Sequence, residues 1–217
     1  MAYEPGAEPY DDNLVASGLS IWWLLEENLN ALFLGRSNAP SITVPKKLNQ
    51  FNAIPAQNKT SWTGQEIMDL AARERTGISS SGHNYFWVVF LKGNFHNGTS
   101  LQPQTIGVNF QGTSVIAIFK DVVEGTATGN GTLDPKYVKQ STLIHELGQA
   151  LGLVNTGLPP KTAHEDPAHR AHCNDPDCVM YWSNEGTSDM VNFVKNAITS
   201  GSVIMYDGQC LKDSREY

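Results

Sequence analysis

The chain has 217 residues, of which 40% are hydrophobic and 17% charged, and a net charge of −7 at pH 7. That length suits one domain with an ordinary core, and the composition excludes a disordered chain. The acidic balance argues against nucleic acid as a partner, because phosphate recognition needs a basic face. No apolar run approaches the roughly 20 residues that span a bilayer, so no membrane span is expected.

Residues 1–13, with Pro5, Pro9, Asp11 and Asp12, read as a loose arm ahead of a single domain over 14–217. Over residues 14–34 the apolar positions Val15, Leu19, Trp22, Leu29 and Phe33 recur at helical spacing, with Gly35 as the stop. The Trp22–Trp23 pair reads as core. Residues 41–44 are a β-branched run and a candidate first strand. Thr63 is placed to cap a helix reaching Arg75, with Gly77 ending it. Residues 85–91 (YFWVVFL) are apolar throughout, as a strand buried on both faces must be. Residues 106–110 and Val115, Ile116, Ala117, Ile118 and Phe119 form two more short strands around a turn at Gly112. The Gly/Thr/Asn-rich stretch 125–132 is a loop, and Pro135 opens a helix running through Leu151. The order predicts an α/β (α+β) fold with one twisted mixed sheet.

The chemistry concentrates in residues 141–153, STLIHELGQALGL. Residues four apart share a helix face, so His145 and Gln149 point the same way, with Glu146 beside them. This is the arrangement of the HExxH helix, in which two imidazoles hold zinc and the glutamate is the general base, with Gln149 where the second histidine belongs. Gly152 follows three residues later. Beyond it come His164, His169 and His172, then Cys173, Cys178 and Met180. Cys173 and Cys178 are close enough in sequence for one short disulfide, and three cysteines with Cys210 are too few for a disulfide scaffold. The HEDPAH segment from His164 to His169 is a possible metal or supporting cluster of its own. Asn58, Asn97 and Asn130 open glycosylation contexts that matter only in a secretory eukaryotic cell.

Residues 141–181 resemble the metzincin zinc metallopeptidases, and within them the archaemetzincins. The resemblance rests on the HELGQ helix, the helix-ending Gly152, and the run from His172 to Met180, which has the family's His-Cys, four residues, Cys, one residue, Met. The distance of eight from His172 to Met180 also matches the spacing from third ligand to Met-turn in matrixin-like members. It implies a metzincin-like fold with an upper subdomain to about residue 152 and a lower one over 153–217. It further implies one catalytic Zn2+ at His145, the Gln149 position and a third histidine, with Met180 as an apolar floor. The simple pattern would put that third ligand at residue 155, here Asn155. Residues 153–171 are then an inserted loop, and His172 is the choice for the ligand, with His164 as the alternative. Met205 and Tyr206 form a second Met-turn look-alike, read as core. Archaemetzincins carry a further C-x-x-C pair after the methionine. With Cys210 alone here, their additional cysteine-based zinc site is not expected.

The resemblance implies a monomeric endopeptidase acting on a peptide or protein substrate laid along the strand Val115–Phe119 as sheet edge. An amide oxygen is a weaker zinc donor than imidazole, so Gln149 implies weak metal retention and impaired hydrolysis. It leaves open a peptidase whose ligand has been replaced, a catalytically inactive protein that binds peptides on the same cleft, and a structural metal domain. Low lysine content and a possible disulfide lean toward a secreted or cell-envelope bacterial protein with its export signal trimmed, whereas the archaemetzincin resemblance leans toward the cytoplasm.

Overall fold

The computed structural model describes residues 1–13, 19–127 and 134–217. The expected helix start at 14–18, and the end of the 125–132 loop with the Asn130 sequon, lie outside the described residues. In chain order the elements are β1 (Ala2–Tyr3), α1 (Trp23–Phe33), β2 (Asn52–Ala53), β3 (Ser61–Thr63), α2 (Gly64–Glu74), β4 (Trp87–Leu91), β5 (Asn94–His96), β6 (Leu101–Gln102), β7 (Gly107–Asn109) and β8 (Val115–Phe119). Four helices follow: α3 (Lys120–Gly125), α4 (Pro135–Ala150), α5 (Thr187–Ser200) and α6 (Gly208–Arg215). The main sheet has the order β2-β1-β4-β8-β7, with β7 alone antiparallel to its neighbour, and a smaller sheet has the order β3-β5-β6. The fold is mixed α/β. None of the helices among the described residues is long and apolar enough to cross a membrane.

Strands β4 and β8 are buried at every residue, which is why their sequences WVVFL and VIAIF show no alternation. Trp22 seals one end of this core against Phe51 and Phe90. Helix α4 begins on Pro135, with the Asp134 side chain accepting from the Lys136 N–H. It is buried along most of its length, so it shows little amphipathic contrast. Its buried Lys139 ammonium donates to the Tyr10 carbonyl at 3.2 Å and lies 4.0 Å from the Trp22 ring centroid.

Three expectations are corrected. Residues 1–13 do not form a loose arm: Ala2 and Tyr3 pair with β2 on one side and β4 on the other. The Glu4 carboxylate then accepts from the backbone of Lys92 and Gln57. A two-residue strand is too short to carry any period, so its polar neighbours dominated the reading. Residues 41–44 are not a strand; the prolines at 40 and 45 bracket a segment without ladder bonds. Val115–Phe119 is not the sheet edge, because β7 pairs outside it and takes that place.

Helix α2 is held by a reciprocal cap. The Glu66 N–H donates to Thr63 Oγ1 at 3.3 Å, and the Thr63 N–H donates to Glu66 Oε2 at 2.8 Å. A hydrogen bond from Lys59, then those from Thr63, hold the Glu66 carboxyl down to about 2 from its ordinary 4.5. Thr63→Ala is expected to cost about 1 kcal/mol in denaturant unfolding. A depressed carboxylate stabilises above its unfolded value and loses that contribution as pH falls through the folded one. The stability gap between the native chain and Glu66→Gln is therefore expected to close as pH falls from 4.5 toward about 2.

Candidate metal centre

Helix α4 presents His145, Glu146 and Gln149 from its last two turns. The Nδ1 of His145 lies 2.7 Å from the Val179 carbonyl oxygen. A carbonyl only accepts, so Nδ1 carries the proton and Nε2 turns a lone pair outward. The Nδ1 of His172 likewise donates to the Arg170 carbonyl at 2.9 Å, while its Nε2 faces the Glu185 carboxylate. Between the two rings sits the Gln149 carboxamide, whose terminal nitrogen is 3.2 Å from His145 Nε2 and 3.1 Å from His172 Nε2. Glu185, at the end of a short 3-10 turn (Trp182–Glu185), brings Oε1 to 2.9 Å from His172 Nε2 and 4.0 Å from His145 Nε2. His145, His172 and Glu185 form a group that could hold a metal ion, their ligand atoms all within 4.8 Å of one another.

The electrostatics follow from burial and from Glu185. Burial, then the nearby charge of His172, pushes His145 down to about 4. Burial opposes charge on His172 as well, but the Glu185 carboxylate outweighs it and raises that imidazole. Glu146 is fully buried. Burial, then the charge of Glu185, lifts it to about 8 against a backbone hydrogen bond from Asn109.

Local chain geometry makes this convergence possible. Gly152 ends α4 with φ +96°, and its carbonyl accepts from the Leu158 N–H at 2.8 Å, which turns the chain into residues 153–171. That loop is braced where Ala171 donates to Glu165 and Asp166 donates to the His172 carbonyl. Asn155 lies apart from the centre, its amide donating to Glu165. Met180 is buried beneath α4, and a Cβ on Gly148 would stand 2.5 Å from its sulfur, so that close approach requires glycine. Tyr206 is core, its hydroxyl donating to the Ile144 carbonyl at 2.7 Å.

Glu146 faces a cleft of about 240 Å³ whose wall is the edge strand β7, with Gln149 and Glu185 on the other side. Gly107 lets that strand lie close, since a Cβ there would be 2.8 Å from Thr142 and 3.3 Å from the Glu146 side chain. The substrate-edge role expected of Val115, Ile116, Ala117, Ile118 and Phe119 therefore has no geometry to support it. Of the main sheet it is β7 that borders the cleft, which Phe95 of β5 and Gln102 of β6 also line.

His164 does not join this centre. Its Nε2 lies 2.7 Å from Asp213 Oδ2, both side chains being wholly buried, and its Nδ1 lies 3.4 Å from Cys173 Sγ and 4.0 Å from Cys210 Sγ. His164, Cys173, Asp207 and Cys210 form a second group that could hold a metal ion. Two expectations change. The cysteines do build a second metal-capable group, because the 153–171 loop delivers a histidine and α6 delivers Cys210 to the same point. The Cys173–Cys178 disulfide is not formed: all three cysteines are free and buried, and Cys178 lies instead 3.6 Å from Cys210. Thiols of Cys178 and Cys210 donating to Cys173 hold its sulfur well below the usual thiol range, with His164 adding to the effect. His169 belongs to neither group; it bonds Asp166 at 3.1 Å and stacks on Trp182.

Sequence reasoning missed Glu185, Asp207 and Asp213. Carboxylates after Met180 obey no helical or motif spacing; only the fold shows which of them turn inward. No protein-family model matches the chain, and no similar curated protein or solved structure was found, so the functional reading rests on the geometry of these two groups.

Proposed function

We propose that the chain is a metal-dependent peptidase of metzincin type, weakened by Gln149. The observation that carries this reading is a buried carboxylate, Glu146, next to two imidazoles whose Nε2 atoms converge beside the cleft at the sheet edge. The donor set suits zinc, which takes imidazole and carboxylate ligands. Zinc, when bound, supplies Lewis acidity toward a scissile carbonyl and toward water.

The rest falls to this chain's own side chains. An extended peptide pairs with the free side of β7, backbone to backbone, which brings its carbonyl into the Glu146 cleft. Glu146 takes a proton from the attacking water and returns it to the leaving amine. Its place beside the two imidazoles and on the cleft suits it to both steps. The Val179 and Arg170 carbonyls hold the imidazoles in the tautomer that faces the reaction. Gln149 offers only an amide, so hydrolysis is slow in this sequence. Peptide capture without cleavage uses the same strand edge and remains the second function of this cleft.

The expected outcome is that Gln149→His raises Zn2+ retention and peptide cleavage together. Adding Glu146→Ala to that variant is expected to lower cleavage by about 10²–10⁴-fold with metal retained. Elemental analysis finding no zinc in Gln149→His beyond the ion that Cys210→Ser removes would refute the reading. Cleavage that persists without Glu146 would refute the mechanism.

A structural ion is the reading favoured at the second group. Tetrahedral zinc with bonds of about 2.0–2.3 Å spaces its donors about 3.3–3.8 Å apart. Here the separations are 3.4 Å (His164–Cys173), 3.6 Å (Cys173–Asp207) and, slightly wider, 4.0 Å (His164–Cys210). Asp213 fixes the His164 tautomer that aims Nδ1 at the sulfurs, and the Asp175, Met180 and Asp207 N–H groups point at Cys173 or Cys178. Cys210→Ser is expected to remove one ion per chain and to lower the melting temperature by roughly 5–10 °C, at about 2–4 °C per kcal/mol. A chelator that leaves the melting temperature unmoved would count against a structural ion.

A further inference from the structure

We infer that Glu185 is the anionic donor of the metal centre, filling the coordination place that Gln149 cannot fill as a neutral amide. The inference rests on the proposed metal centre and names its ligand set as His145, His172 and Glu185. Two histidines and one carboxylate are a sufficient protein set for catalytic zinc, with the fourth position left open.

Three observations support the assignment. The first is spacing. Glu185 Oε1 stands 2.9 Å and 4.0 Å from the two imidazole Nε2 atoms, on either side of the tetrahedral donor edge of about 3.3 Å. The second is anchoring. The residue before Glu185, Asn184, donates to the Cys178 carbonyl at 3.1 Å and to the Val179 carbonyl at 3.3 Å, and the residue after it, Gly186, bridges to Thr105. Val179 is the carbonyl that orients His145, so one peptide group sets the positions of two donors. The backbone of Glu185 is thus fixed, while its side chain, 52% exposed, keeps the torsional freedom to close the last few tenths of an ångström. The third is chemistry. Two neutral imidazoles leave both charges of a divalent ion uncompensated; a carboxylate cancels one, and a carboxamide cancels none.

Gln149 then acts on the metal through another residue. Its amide nitrogen reaches both imidazoles and interacts with the Glu185 carboxylate, which makes it a positioning residue that steadies the replacement ligand. Loss of such a supporting contact costs about 10–100-fold in metal affinity, whereas loss of a direct ligand costs more.

The test is a Zn2+ titration of the demetallated full chain, repeated with Co2+, whose absorption separates an ion bound by thiolates from one bound by imidazole and carboxylate. Glu185→Ala is expected to abolish the imidazole-type ion while retaining the thiolate-type ion, which also reports that the variant is folded. Gln149→Ala is expected to keep the imidazole-type ion with affinity reduced by no more than about 100-fold. Gln149→His combined with Glu185→Ala is expected to recover it. Native-like affinity in Glu185→Ala, or equal losses in Glu185→Ala and Gln149→Ala, would overturn the assignment while leaving the metal centre standing. No imidazole-type ion even in Gln149→His would remove the metal centre itself.

Discussion

The hydrogen bond from His145 Nδ1 to the Val179 carbonyl, 2.7 Å long and fully buried, ties the two halves of the chain together. It joins helix α4, which packs on β7 and β8 of the main sheet, to the Met180 segment. Were it absent, the imidazole would rotate and its Nε2 would lose its aim. The bond is short because Gly148 lets Met180 slide under the helix, and because Cys173 donates to the Met180 carbonyl at 2.8 Å from the other side. Helix, methionine segment and returning loop are therefore one packed unit. A side chain at residue 148 would separate all three at once, since the buried interior has no slack to absorb it.

The unit also sets the electrostatics. Placing Glu146 beside His145 in the same buried turn denies the carboxylate water, and Glu185 adds a like charge across the cleft. Both effects push toward the protonated form, and the Asn109 amide of β7 opposes them. The edge strand thus has two physical roles: its free side is open to pairing, and its backbone dipole steadies the carboxylate. Gly107 serves both, because only a residue without Cβ lets β7 come this near α4.

Much of this was legible in the chain. Uninterrupted apolar runs marked β4 and β8, the Thr63 and Pro135 signals marked two helix starts, and the four-residue spacing put His145, Glu146 and Gln149 on one face. These features are local, decided by residues within a turn or two. What stayed hidden was decided by pairing at long range. Ala2 and Tyr3 join the sheet between β2 and β4 because strands 50 and 87 residues away receive them, and nothing within the segment says so. The edge position passed from Val115–Phe119 to Gly107–Asn109 for the same reason: both runs are short, and strand order decides which of them lies outside. The destinations of His164, Glu185, Asp207 and Asp213 depend on how 60 residues of loop and helix fold back under α4, for which composition offers no rule.

The two metal-capable groups are not independent. His172 faces one and Cys173 the other, so a single peptide bond separates a donor of each. Adjacent side chains on an extended segment point to opposite sides, which is how one short stretch serves both. Cys173 is further fixed by its bridges to Glu165 and Tyr181, and His172 by the backbone of Arg170. Ordering the sulfur-rich group therefore fixes the backbone from which His172 projects. A loop of this length, closed by the backbone bonds from Asp166 to His172 and from Asn174 to His164 and by the Glu165 side chain, has a large entropy to lose before its histidine can act as a ligand. The buried His164–Asp213 pair and the three thiols surrender that entropy in advance, away from the cleft. This leaves the Glu185 side chain as the one exposed and adjustable donor, and concentrates what freedom the centre retains at the residue nearest to solvent.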